Sequence, residues 1–142
     1  YLARNDKDNA IKTLQYALSL NENYADSACY LAKVAIYFTD ETQGYQAMDK
    51  CLDLGGGGNL SPVDFLKIAI DHYGKANDQK RLLSLYVILA DLEPNDANIL
   101  VNLSLLYAQA GDKANAISAA EKAGALDPSL KSAAEEFINK LK

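Results

Sequence analysis

The chain has 142 residues, 49% hydrophobic and 23% charged, which fits a single domain with a buried core and excludes a disordered polyelectrolyte. Its net charge of -5, with the basic residues scattered, gives no electrostatic reason to bind nucleic acid or an anionic membrane. No stretch approaches the roughly 18 apolar residues of a membrane span and no signal-peptide pattern opens the chain, so direct membrane insertion is not expected.

In chain order, Asp8 to Leu20 predicts a helix that buries Ala10, Leu14 and Ala17, with Asp6 or Asp8 near its positive N-terminal end. Asn21 to Tyr24 makes a turn, with Glu22 inside it. Ala25 to Thr39 is the next helix, its core face formed by Ala28, Leu31, Ala32, Ala35 and Phe38. Thr42 to Leu54 follows, with Ala47, Cys51 and Leu54 on one side. Cys29 and Cys51 are too few for a disulfide framework and have no Cys or His nearby at metal-ligand spacing, so both read as packing residues. Gly55 to Gly58 lack the strand, Lys and Ser or Thr of a phosphate loop and read as a flexible link after a helix end. Ser61-Pro62 then starts a helix as an N-cap with Pro in the first turn, and Asp64 adds favourable charge there.

Pro62 to Ala76 and Asp78 to Glu93 predict a helical hairpin in which Leu66, Ala69, Ile70 and Tyr73 meet Leu82, Leu85, Tyr86 and Leu89. In Asp96 to Ala110, Leu100, Leu103, Ser104 and Tyr107 share one helical face, while Asn98, Val101, Asn102, Leu105 and Gln109 share the opposite one. Gly111-Asp112 breaks that helix. Asp112 to Leu126 follows, its Ala116, Ala120 and Ala123 small enough for two helices to approach closely. Leu130 to Lys142 carries one apolar stripe of Ala133, Ala134, Phe137, Ile138 and Leu141 and reads as a capping helix with a charged outer face.

The last two hairpins are one unit written twice. Leu100, Leu103, Ser104, Tyr107, Ala116, Ala120 and Pro128 each stand 34 positions after Leu66, Ala69, Ile70, Tyr73, Leu82, Tyr86 and Pro94, and this unit resembles the tetratricopeptide pattern Trp-x2-Leu-Gly-x2-Tyr, Ala-x3-Phe, Pro. The resemblance implies an all-α, right-handed superhelical solenoid of antiparallel helix pairs, with a C-terminal capping helix. On that pattern, residues 1–24 are a partial repeat, 25–61 a repeat with about three extra residues, 62–96 and 97–129 regular repeats, and 130–142 the cap. Tyr1 would lie inside a repeat, so the sequence reads as a fragment of a longer protein whose uncapped N-terminal end offers a route to self-association.

The residues do not point to chemistry. A lone His72 beside Asp71 cannot build a metal site, no nucleophile motif such as Gly-x-Ser-x-Gly is present, and the carboxylates read as solvated helix charges, so no catalytic, metal or cofactor site is expected. Asn59-Leu60-Ser61 and Asn102-Leu103-Ser104 match the short glycosylation pattern, although Asn102 on a stacked helix would be a poor acceptor.

By the resemblance, the protein is a non-catalytic interaction module that binds a peptide or helix of a protein partner on its concave face. The partner-facing residues would be those opposite the core on each first helix: Asp26, Lys33 and Tyr37; Asp64, Lys67, Asp71 and Lys75; Asn98, Val101, Asn102, Leu105 and Gln109. Some family members clamp the terminal carboxylate of a chaperone tail with Lys and Asn side chains. Lys67 and Asn102 fit two of those places, but Asp71 replaces an Asn, and Ser132 and Glu136 replace Lys and Arg, so that specificity is rejected. A second reading, from general similarity rather than a motif, is a structural domain of a larger, membrane-anchored envelope polysaccharide polymerase or similar machine. The chain would then be the soluble part of that protein rather than cytoplasmic.

Overall fold

In the computed structural model, residues 6–21, 25–38, 41–56 and 63–142 are described, apart from the side chains of residues 6–8, 37, 38 and 41. The described elements are all helical: α1 (Asp6–Leu20), α2 (Ala25–Phe38), α3 (Glu41–Asp53), α4 (Val63–Lys75), α5 (Gln79–Leu92), α6 (Ala97–Gln109), α7 (Lys113–Leu126), a 3-10 turn at Pro128–Leu130 and α8 (Lys131–Leu141). The all-α class follows from the helical spacing of the apolar residues. The Glu22 turn, the Ser61-Pro62 helix start, Gly57, Gly58 and Asn59 lie outside the described residues. The chain gathers into two compact units, Tyr1–Phe65 and Leu66–Lys142, and the division along the sequence falls within α4.

In the first unit α2 packs against both α1 and α3. Ala28, Leu31, Ala32 and Ala35 of α2 and Ala47 and Cys51 of α3 are buried as the spacing predicts, and Met48 and Leu52 join them. Small residues let α2 and α3 come close. A Cβ on Gly44 would clash with the Ile36 side chain and lie 2.9 Å from the Ile36 backbone nitrogen, so only glycine fits there. The face of α1 predicted to be buried, Ala10, Leu14 and Ala17, is half-buried.

The cysteines are a correction. Cys29 and Cys51 do not merely pack; they form a disulfide that joins α2 to α3, with their Cα atoms 4.9 Å apart. Sequence spacing gave no pairing because the two are 22 positions apart and meet only once α2 and α3 fold back on each other. Beyond Cys51, Gly55 adopts a left-handed conformation (φ 76°), and the Gly55 and Gly56 amides donate to the carbonyls of Leu52 (3.0 Å) and Cys51 (2.8 Å). This pair of bonds closes the end of α3 and gives the first two glycines of the run a defined structural role.

The second unit shows the repeat in its backbone. At the end of α4, Asn77 N–H donates to Gly74 O (3.1 Å) and Asp78 N–H to Tyr73 O (3.0 Å). Thirty-four positions on, at the end of α6, Gly111 N–H donates to Ala108 O (3.1 Å) and Asp112 N–H to Tyr107 O (2.9 Å). The residue that must turn left-handed is Asn77 (φ 54°) in one copy and Gly111 (φ 81°) in the other. Asp78 and Asp112 then cap α5 and α7, accepting from the amides of Arg81 and Asn115, each at 3.1 Å. Asp96 and Asp127 do the same for α6 and the 3-10 turn.

α6 packs against α5 and α7, and α7 against α8. Leu100, Leu103, Ala119 and Ala123 form the core cluster, with Leu83, Tyr86, Val87 and Tyr107 packed on it. Ile99 and Leu106 are also buried, which the two-faced reading of this helix missed. A helix held between two others buries a wider arc than a surface helix. Of the predicted α8 stripe, Ile138 is buried, Ala134, Phe137 and Leu141 are half-buried, and Ala133 is exposed. Gly124 lets α8 sit close on α7: a Cβ there would be 3.3 Å from Lys131 Cα.

Candidate functional site

The predicted partner-facing residues divide between the two units. In the first, Lys33 is half-buried on α2 and its ammonium lies 5.7 Å from the Tyr30 ring centroid. Partial burial lowers its pKa, because a desolvated ammonium is less stable than a hydrated one. Tyr30 is half-exposed, so cation and ring form one amphipathic spot. Tyr37 lies in the same helix, and its side chain is outside the described residues.

In the second unit, Lys67, Asp71 and Lys75 are exposed on α4. Asp71 and Lys75 form an i,i+4 ion pair at 2.9 Å, with both side chains largely in water, so the two present a dipole rather than independent charges. On α6, Asn98, Asn102 and Gln109 are exposed. The Asn102 amide donates to the Asn98 carbonyl (3.0 Å), which holds it along the helix.

Leu105 is the apolar member of this face and is 45% exposed. With Val101 and Ser104 it forms one wall of an apolar groove of about 190 Å³, whose floor is Ala120 and Ala123 of α7 and whose far wall includes Phe137 and Ala133 of α8. Val101, predicted to be fully outward, leans on the core cluster as well as lining this groove. The contribution of α8 was not foreseen. Its signal was present in the stripe itself, since Ala133 and Phe137 are one helical turn apart and turn toward the α6 side instead of into the core.

A second, larger groove of about 560 Å³ runs between α5, α6 and α7. Leu100, Leu103 and Tyr107, which the sequence assigns wholly to the core, line it together with Val87 and Leu126, while Asp91 and Lys122 stand at its edge. Burial raises the Tyr107 phenol above its ordinary pKa, and the Asp112 and Asp91 carboxylates raise it further. Tyr107 is therefore a neutral hydrogen-bonding group at physiological pH.

No family model matches the chain, and no curated protein matches it either. Solved structures do resemble it. A crystal structure of MamA has a TM-score of 0.45 at 17% identity, covering 97% of this chain and 88% of that one. A crystal structure of MamA protein has a TM-score of 0.46 at 17% identity, covering 97% and 82%. At so distant a likeness, the role of each surface residue has to come from its own surroundings.

Among the described residues, no group of three or more His, Cys, Asp or Glu side chains could hold a metal ion, and no helix is long and apolar enough to cross a membrane. His72 is half-buried, its ring edge-on to Tyr73 at 4.9 Å between centroids. What the second unit offers is an open apolar groove, with the exposed carboxamides Asn98, Asn102 and Gln109 on the same helix as its Leu105 wall.

Proposed function

We propose that this protein is a non-catalytic, tetratricopeptide-like interaction module that binds a short peptide or helix of a protein partner. The anchor of the partner sits in the groove between α6 and α8. The observation that carries this reading is Leu105, a large apolar side chain kept 45% exposed on a helix whose other side already fills the core, and facing Phe137 across an open groove. Asn98, Asn102 and Gln109 flank it with donors and acceptors that suit a peptide backbone. Lys67, Asp71 and Lys75 on α4 are the charged residues of the same unit that a partner would also meet, and Lys33 and Tyr37 on α2 are a separate candidate contact of the first unit.

The test is a selection from a random peptide library, followed by amide-shift mapping of the winning peptides on the labelled protein. Shifts centred on Val101, Leu105 and Phe137 are expected. Leu105→Asp should abolish binding, because it places an unpaired charge in the apolar part of the contact, and should lower Tm by no more than a few degrees. Peptides that bind Leu105→Asp as tightly as the wild type, or that shift only the α5–α7 groove, would overturn the reading.

A further inference from the structure

The disulfide between Cys29 and Cys51 lies in the buried core between α2 and α3 of the first unit. Both cysteines are completely buried, at 0% exposure. Gly56, just past the end of α3, lies over the bond: its carbonyl oxygen is 3.2 Å from Cys29 Sγ, and a Cβ there would approach that sulfur to 2.7 Å and Ala25 Cβ to 2.9 Å. The start of α2, the end of α3 and the turn after it thus converge on one covalent bond. Among the described residues, the core around it combines the alanines Ala28, Ala32, Ala35 and Ala47 with Leu31, Met48, Leu52 and Phe65, and the second unit, which buries more side chains, contains no cysteine. Small apolar cores are where covalent staples are found.

We infer that the first unit is completed by oxidation and that the protein is built for an oxidising compartment, where this bond is a permanent staple rather than a switch. In forming it, the thiolate of one cysteine attacks a disulfide-bearing oxidant to give a mixed disulfide and release one oxidant thiolate, and the thiolate of the second cysteine then attacks the first cysteine's sulfur, forming the Cys29–Cys51 bond and displacing the oxidant's other thiolate. Two protons and two electrons leave the pair, and the oxidant departs as a dithiol. The reverse reaction needs a thiolate to reach a sulfur in line. With both sulfurs buried and Gly56 covering one of them, that requires α2 and α3 to separate first. In a reducing compartment the chain would have to fold before it could protect the bond, and the pair would stay as thiols.

The experiment uses the intact chain secreted into an oxidising compartment. Alkylation in denaturant should modify no cysteine before reduction and both after it. Reduced glutathione should cleave the bond in the native protein at least about tenfold more slowly than in denaturant, since attack must wait for opening. In the reduced, alkylated chain and in C29A/C51A, amide exchange in α2 and α3 should quicken by at least about tenfold while α6 and α7 keep their protection. If both variants lose α2 and α3 altogether but retain α6 and α7, the dependence on the bond is confirmed. Two free thiols in the secreted protein, equal cleavage rates in native and denatured chains, or unchanged exchange in α2 and α3 of C29A/C51A would each overturn the inference.

Discussion

At Asp78 one residue ends a helix and begins another. Its amide donates to Tyr73 O at 3.0 Å to close α4, and its carboxylate accepts from the Arg81 amide at 3.1 Å and from the Arg81 guanidinium at 2.8 Å to open α5. Burial works to raise its pKa, but the Arg81 hydrogen bonds and charge outweigh that and hold it below the ordinary carboxylate value. Asp78→Ala should therefore lower stability by about 1 kcal/mol in urea denaturation, as for other N-cap losses. The sign with pH follows from the depressed folded value. The charged carboxylate stabilises fully above the unfolded value near about 4, and that contribution is lost as pH falls through the folded value. The advantage of wild type over Asp78→Asn, which keeps the shape but does not titrate, should shrink as pH is taken from about 6 to below about 3. A gap that stays constant over that range would mean the charge contributes nothing.

Among the helices, α6 shows most directly what sequence spacing can reveal. The 34-position recurrence located both turns of the second unit, and Leu100, Leu103 and Ser104 are buried as that recurrence requires. Leu103 sits in the core cluster beside Leu100, Ala119 and Ala123, so Leu103→Ala should cost about 2 to 4 kcal/mol, whereas Gln109→Ala on the exposed side should cost under about 0.5. Chemical denaturation of both variants checks this, and equal costs would mean the buried face has been misassigned. Ile99 and Leu106 were not legible, because the sequence of one helix does not say how many neighbours will surround it. The disulfide was legible only through the hairpin. Cys29 and Cys51 stand at equal distances on either side of position 40, as do Ile36 and Gly44, and both pairs meet across the α2–α3 interface. Counting from the midpoint between α2 and α3, rather than between the cysteines, would have found the bond.

At the scale of the whole molecule, charge separates the parts of the proposed binding face. The sequence named Leu105 and its carboxamide neighbours from one helix alone, yet a groove needs a second wall, and Phe137 supplies it only when α8 docks on α7. The wall residues of that groove are uncharged, so affinity gained there should come from apolar burial, which salt leaves largely intact. Lys67 lies on an exposed surface in a chain of net charge -5, where an interaction with an acidic partner residue is screened. For a peptide bound to the intact protein, Lys67→Glu should weaken Kd by about threefold to tenfold at roughly 50 mM salt, and the loss should shrink to under about twofold at roughly 500 mM. Leu105→Asp should remove binding at both concentrations, since screening does not relieve the desolvation of a buried carboxylate. The contrast is read by titrating both variants at the two salt concentrations. A partner that tolerates Leu105→Asp but loses affinity with Lys67→Glu in a salt-dependent way would be held by the charges of α4, and the apolar groove would not be its site.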